Sequence, residues 1–134
     1  MDRATAQALA EGYLADTTTG DRSVLARFSP DFDDNVSGQR GLKIFDVVGT
    51  WFEESFADRS ADLHLVTHAD DVVVVWCNRA RPARRQRVSP ARGPAGQGNE
   101  ITWPQVHVFR LEDGLVVEHW AVRDDAALLD SVKA

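Results

Sequence analysis

The stretch "WPQVHVF", residues 103–109, sets Trp103, Gln105, His107 and Phe109 two positions apart. In an extended chain successive side chains point to opposite faces, so these four share one. A histidine changes charge near neutral pH, and an amide beside it donates hydrogen bonds. The pair therefore suits proton transfer or the holding of a carbonyl oxygen. A second histidine stands in "EHWA", residues 118–121. The same alternation puts His119 with Ala121 on one face. Glu118 falls on the other, where an arginine of the outer sheet surface is its expected partner. The bland alternative for both histidines is a hydrogen-bonded side chain inside a strand.

Other chemistries find no footing. His64 and His68 share one face of an earlier alternating stretch, but four strand residues separate them by ~13 Å, too far for one ion. No cysteine or carboxylate pattern completes a metal site. There is no glycine-rich phosphate loop and no serine or cysteine nucleophile in a recognisable setting. Cys77, the only cysteine, lies in an apolar run and reads as a small buried hydrophobe. Trp51, Trp76 and Trp120 read as core or subunit-interface residues.

The elements that must position the two histidines follow from periodicity. Ala6, Leu9, Ala10, Tyr13 and Leu14 recur at helical spacing, interrupted by Gly12. Asp21 caps a short helix through Leu25 and Phe28, with Pro30 beyond its end. "DFDDNVSGQRG" reads as a loop whose Asp31, Asp33 and Asp34 are solvated. Positions 42, 45, 49, 52 and 56 form the apolar face of an amphipathic helix. From residue 62 the period becomes two. "DLHLVTHA" is a half-buried strand, and "DDVVVVWCN" a central strand covered on both faces. Residues 101–122 form a hairpin turning at "EDG", with Gly114 left-handed in a short bulged loop and Pro104 near a strand start. "RDDAALLDSV" is a short closing helix with Asp124 or Asp125 in its first turn. Helices followed by antiparallel strands make an α+β fold: a curved, cone-shaped antiparallel sheet packed on N-terminal helices, enclosing one apolar pocket.

Bulk properties narrow the partners. The 134 residues suit one domain spanning residues 1–134. A net charge of −6 argues against nucleic acid and anionic membrane as partners. No apolar run approaches the ~20 residues needed to span a bilayer. The N-terminus lacks the basic start and apolar stretch of a signal peptide, so a cytoplasmic location is expected. Between the strands, residues 79–97 are rich in arginine, proline and glycine. Two readings stand open: a mobile hairpin loop, or a cationic flap that meets an anionic ligand.

The hairpin carries a resemblance. His107, Phe109–Arg110, Asp113–Gly114 and Glu118–His119–Trp120 stand in the order found at the end of SnoaL-like polyketide (ester) cyclases, and residues 9–75 are more weakly similar. The resemblance implies the cone of nuclear transport factor 2. It also implies an intramolecular aldol condensation of a polyketide ester, with neither cofactor nor metal, and a small-molecule ligand in an apolar pocket. It further implies a homodimer. Carried over by residue, Gln105 and His107 match pocket positions, and Asn35 matches a loop asparagine at the pocket mouth. Asp34 stands where many members have histidine. Trp103, Phe109 and Ala121 complete the expected substrate-binding set. The family's proton-transferring aspartate follows the Glu-His-Trp tryptophan, and here that position is Ala121.

A positioned proton-transfer group contributes ~10²–10⁴ in rate, so the alanine bears directly on activity. Two replacements are open: His119 as the base from the next pleat, or Asp124 three residues on. His107 and His119 are the catalytic candidates. The rivals are a binding module that kept the cone and lost the acid, and a relative with changed chemistry such as hydroxylation or hydrolysis. For the arginine-rich stretch, the flap reading predicts that an Arg84, Arg85, Arg87→Ala triple variant weakens binding of an anionic ligand, measured by titration calorimetry. Unchanged affinity returns the stretch to a plain loop.

Overall fold

In the computed structural model, residues 1–56, 59–82 and 100–133 are described. Helix α1 (Arg3–Thr19) starts at Asp2, whose carboxylate accepts from the Thr5 backbone N–H at 2.8 Å, and ends at left-handed Gly20. Its buried face is Ala6, Leu9, Ala10 and Leu14. Gly12 has a reason to be small: a Cβ there would lie 3.0 Å from Val24 Cγ2, in the 3-10 turn Ser23–Arg27 that packs against the helix. That turn takes the place of the expected short helix; its cap residue is Arg22, not Asp21, which accepts from Ser23 N just before it.

The acidic stretch is not a loop. Phe28–Asp34 forms strand β1, with Pro30 inside it, and Gln39–Arg40 forms β2. Phe28, Phe32 and Asp34 are buried, so the strand alternation carries an aspartate inward behind two core phenylalanines. Helix α2 (Lys43–Ser55) buries Phe45, Gly49 and Phe52 on one face, as the apolar spacing predicts.

Strands β3 (Asp62–Ala69), β4 (Val72–Pro82), β5 (Glu100–Glu112) and β6 (Leu115–Arg123) complete a six-stranded sheet in the order β2-β1-β6-β5-β4-β3. Helix α3 (Asp125–Lys133) follows, with Asp124 accepting from Ala127 N at 2.9 Å as its cap. The sheet is antiparallel except where β1 runs parallel to β6. The expectation of a wholly antiparallel sheet is corrected there.

Strand β4 is not covered on both faces. Val73, Val75, Cys77 and Arg79 are buried, whereas Trp76 on the other face is 49% exposed. The arginine-rich stretch thus begins inside a strand, with Arg79 on its buried face. Most of that stretch lies outside the described residues. Pro104 sits within β5 opposite Asn78, whose side chain accepts from Trp103 N at 3.0 Å.

Two irregularities decide which residues face inward. In β3, pairing shifts between Leu63 and Leu65, so His64 falls out of step and does not share a face with His68. In β6, Arg110 pairs with Glu118 but Leu111 pairs with Val116, leaving Val117 as an extra residue. Because of that bulge Val116, His119 and Ala121 all face the side of Gln105, His107 and Phe109. The bulge lies in the strand, whereas the loop is the two-residue turn Asp113–Gly114, with φ of 50° and 80°. Two left-handed residues match the right-handed twist of the flanking strands. A Gly114→Val substitution puts a β-branched residue in that conformation. It should cost about 1–2 kcal/mol, read as a lower urea midpoint with an unchanged slope.

Candidate active site

A cavity of about 380 Å³ opens between α1, α2 and the concave face of the sheet. Its walls include Tyr13, Trp51, Trp103, Ala121 and, from the polar side, Asp34, Arg79, Gln105, His107 and His119. That volume suits a small aromatic molecule.

The polar residues form one hydrogen-bonded chain. Asp34 Oδ1 meets His119 Nδ1 at 2.8 Å, His119 Nε2 meets His107 Nδ1 at 2.9 Å, and His107 Nε2 meets Gln105 Oε1 at 2.8 Å. Arg79 Nε donates to the same Gln105 oxygen at 3.0 Å, and Arg79 Nη1 donates to Thr17 Oγ1. All members from Asp34 to Arg79 are buried. The strand pairings set this out. Asp34 is opposite His119 across β1 and β6, and His107 is opposite Ala121 across β5 and β6. Tyr13 lies over both imidazoles, with ring centroids 4.9 Å from His107 and 5.4 Å from His119.

The pattern dictates where protons sit. A guanidinium only donates, so the Gln105 atom facing Arg79 is the oxygen, and His107 Nε2 must donate to it. The Asp34 carboxylate accepts from His119 Nδ1–H. If both rings were neutral, two lone pairs would then face each other across the 2.9 Å gap. One further proton lies there. Burial first, and then the neighbouring His119 charge, pushes the His107 pKa well below its ordinary 6.5. For Asp34 burial raises the pKa. Hydrogen bonds from His119 and from Ser37 Oγ, the latter at 2.6 Å, outweigh it and hold the carboxyl below its usual range. Burial pushes the Tyr13 phenol up.

The expected site residues fall into two groups. Gln105, His107, His119, Trp103 and Ala121 come together on the cavity wall. Phe109 and Asn35 do not join them. Phe109 is fully buried in the core, its ring stacked 4.9 Å from that of His119, and so it backs the site. Asn35 is exposed and donates from Nδ2 to Glu118 Oε2 at 3.4 Å. The cavity position at this turn belongs to Asp34, which is buried and not solvated as expected. Asp124 is exposed and occupied as the α3 cap, so it does not reach in beside Ala121. Glu118 pairs with Arg110 on the outer surface, Nε to Oε1 at 2.7 Å, as its alternation predicts. Trp51, expected in the core or an interface, stands at the cavity wall. Tyr13, Thr17 and Arg79 were not foreseen as site residues. For Arg79 the signal was present, since it continues the inward series Val73, Val75, Cys77 at period two.

Among the described residues no cluster of histidine, cysteine and carboxylate groups could hold a metal ion. Nor is any helix of the described residues long and apolar enough to cross a membrane.

Residues 6–132 match the family described as SnoaL-like polyketide cyclase. No curated protein sequence matches the chain. Among solved structures, TsrD from Streptomyces laurentii is 26% identical with a TM-score of 0.79, covering 98% of this chain and 97% of that one. AclR from Streptomyces galilaeus, a presumed hydroxylase, is 22% identical with a TM-score of 0.77 over 98% and 97% of the two chains. IdmH from Streptomyces antibioticus, a presumed polyketide cyclase, is 18% identical with a TM-score of 0.74 over 96% and 99%. The last two likenesses speak for the fold.

A neutral buried His107 has a thermodynamic signature. Below pH 6.5 the unfolded chain protonates this residue and the folded chain does not, so stability falls as pH falls through that window. In a His107→Gln variant the slope of unfolding free energy between pH 6.5 and 5 should flatten by up to ~1.4 kcal/mol per pH unit. Urea titrations across that range read it, and an unchanged slope would mean His107 protonates freely in the fold.

Proposed function

The chain belongs to the SnoaL-like polyketide cyclase family, and we propose that it performs cofactor-independent acid/base chemistry on a carbonyl-bearing, polyketide-like small molecule. The observation that carries this reading is the unbroken chain Gln105–His107–His119–Asp34, which reaches the cavity wall opposite Ala121. The family's acid is missing at Ala121, and a histidine pair backed by a carboxylate supplies the proton-transfer group instead.

The pattern described above is the protonated form of this device. When the Gln105 amide turns away and His107 Nε2 gives up its proton, that nitrogen presents a lone pair to the cavity. His107 Nδ1–H then donates to His119 Nε2, and His119 Nδ1–H to Asp34. A C–H proton taken from carbon beside the substrate carbonyl bonds to His107 Nε2. The Nδ1 proton shifts to His119, and the charge comes to rest beside Asp34. The carbanion left behind is an enolate, which attacks a second carbonyl of the same molecule in an aldol-type closure, and the alkoxide formed takes the proton back from His107 Nε2. Asp34 thus orients His119 and stabilises its imidazolium, as buried carboxylates do behind catalytic histidines. The low basicity of His107 keeps positive charge from lodging on the ring nearest the substrate.

Hydron exchange reads the base directly. In D₂O, the wild type should exchange the acidic C–H of an aryl β-keto ester, measured by proton NMR above the buffer rate. His107→Ala and His119→Leu should each slow it by about 10²-fold or more. Ala121→Asp places a carboxylate directly across from His107 and should raise cyclisation of a model polyketide ester. Exchange that survives His107→Ala sinks the assignment. The second reading, a binding module without turnover, draws on two facts: Ala121 itself, and the engagement of every ring nitrogen of the pair by protein groups. It predicts tight binding of such esters with no exchange. The presumed hydroxylase among the solved relatives keeps changed chemistry as a third outcome, read as an oxygenated product.

The outer sheet face supports a homodimer. Leu65, Trp76, Val106 and Val122 lie opposite one another across four neighbouring strands, and each is at least 36% exposed. Trp120 extends the row. A continuous apolar ribbon of this kind suits an isologous interface. A Trp76→Glu variant should run as a monomer by light scattering and retain cavity binding; an unchanged mass places the interface elsewhere.

A further inference from the structure

Arg79 carries a charge that no carboxylate of the described residues meets in direct contact. It is 2% exposed, and its acceptors, Gln105 Oε1 and Thr17 Oγ1, are neutral. Its guanidinium carbon lies 5.0 Å over the Phe52 ring. Among the described residues no carboxylate forms an ion pair with it. Of the two buried carboxylates nearby, Asp34 is bonded by His119 at 2.8 Å, and Asp16 lies 3.3 Å from Arg22 and attracts Arg79 from a distance without bonding it. The second cation of the cavity wall, Arg123, sits 5.5 Å over Trp103 and only 4.0 Å from Asp125. Two arginines and one carboxylate, Asp34, line the cavity among the described residues, so positive side chains predominate there.

A guanidinium stays protonated at any working pH, and taking it out of water without a counter-charge is costly. We propose that the ligand supplies that counter-charge: a carboxylate bound by Arg79, so that the substrate is a carbonyl-bearing free acid and not its ester. The inference rests on the cavity as the ligand site but not on turnover there. An enolate would match the cation only at the moment of reaction, whereas a carboxylate matches it from the moment of binding. The planar fork of arginine also fits a carboxylate with two parallel hydrogen bonds. Position is favourable as well. Arg79 Nε and His107 Nε2 converge on the same oxygen of Gln105, so a carboxylate held by Arg79 lies beside the imidazole. The carbon next to it, and the keto group beyond, then face the proton-transfer group. A β-keto acid with an aromatic body meets all three demands.

Titration calorimetry with 2-naphthoate and methyl 2-naphthoate tests this without needing the natural substrate. The wild type should bind the acid at least tenfold more tightly than the ester, and added NaCl should narrow the gap. Arg79→Met should erase the difference, and Arg79→Lys should keep part of it. Equal or tighter binding of the ester, a preference that persists in Arg79→Met, or no binding of either compound overturns the proposal. The wild-type comparison stands even if a variant fails to fold. Preference for the acid with no hydron exchange on any substrate removes the catalytic reading and leaves this one. Exchange without preference does the reverse.

Discussion

One oxygen atom governs the interior of this protein. Gln105 Oε1 accepts from Arg79 and from His107 at once, and that double demand fixes the amide orientation, the His107 tautomer and, through it, the position of every proton as far as Asp34. An isolated buried histidine would be free to choose between tautomers. This one is not, because a guanidinium that can only donate stands at the other side of its partner. The chain is therefore polarised from one end, by a cation, and from the other, by a carboxylate. Partly satisfied, such a network would be a liability in a low-dielectric interior; with these partners met, it holds one resting geometry.

The apolar surroundings sustain that geometry. Tyr13 from α1 covers the imidazoles, Phe109 backs them, and Phe28, Phe32 and Phe45 fill the space behind. Contributions come from elements far apart in the chain, so the site exists only when α1, β1, β5 and β6 are all in register. This couples the state of the cavity to the whole sheet. It also explains why the hairpin alone, which supplies both histidines, would not assemble the hydrogen-bonded chain.

The sequence spoke most clearly where periodicity was regular. Alternation in β5 placed Trp103, Gln105 and His107 on one face, and the spacing of α2 its apolar stripe. It misled where the chain turns a polar run into a strand. Phe28–Asp34 has only two large apolar residues, and its acidic composition resembles a solvated loop. The burial of Asp34 depends on His119, which lies 85 positions away. Arg79 was hidden by its neighbours, since one inward residue at the end of a valine strand was read with the arginines that follow it. Asn35 shows the opposite error, a match by resemblance whose side chain points to the outer carboxylate of Glu118.

The bulge at Val117 has a consequence for anyone redesigning this scaffold. With the nine residues of β6 in unbroken alternation, Val116 facing inward would bring Glu118 inward and turn His119 out. The cavity would then hold a second carboxylate beside Asp34 where an imidazole now stands, and Arg110 would keep only Glu112. Idealising the hairpin, the usual first step toward a sturdier protein, would exchange one titrating group for another of opposite charge type. The irregular pairing is the device by which two adjacent residues of unlike character are assigned to water and to the interior. It should be treated as part of the site.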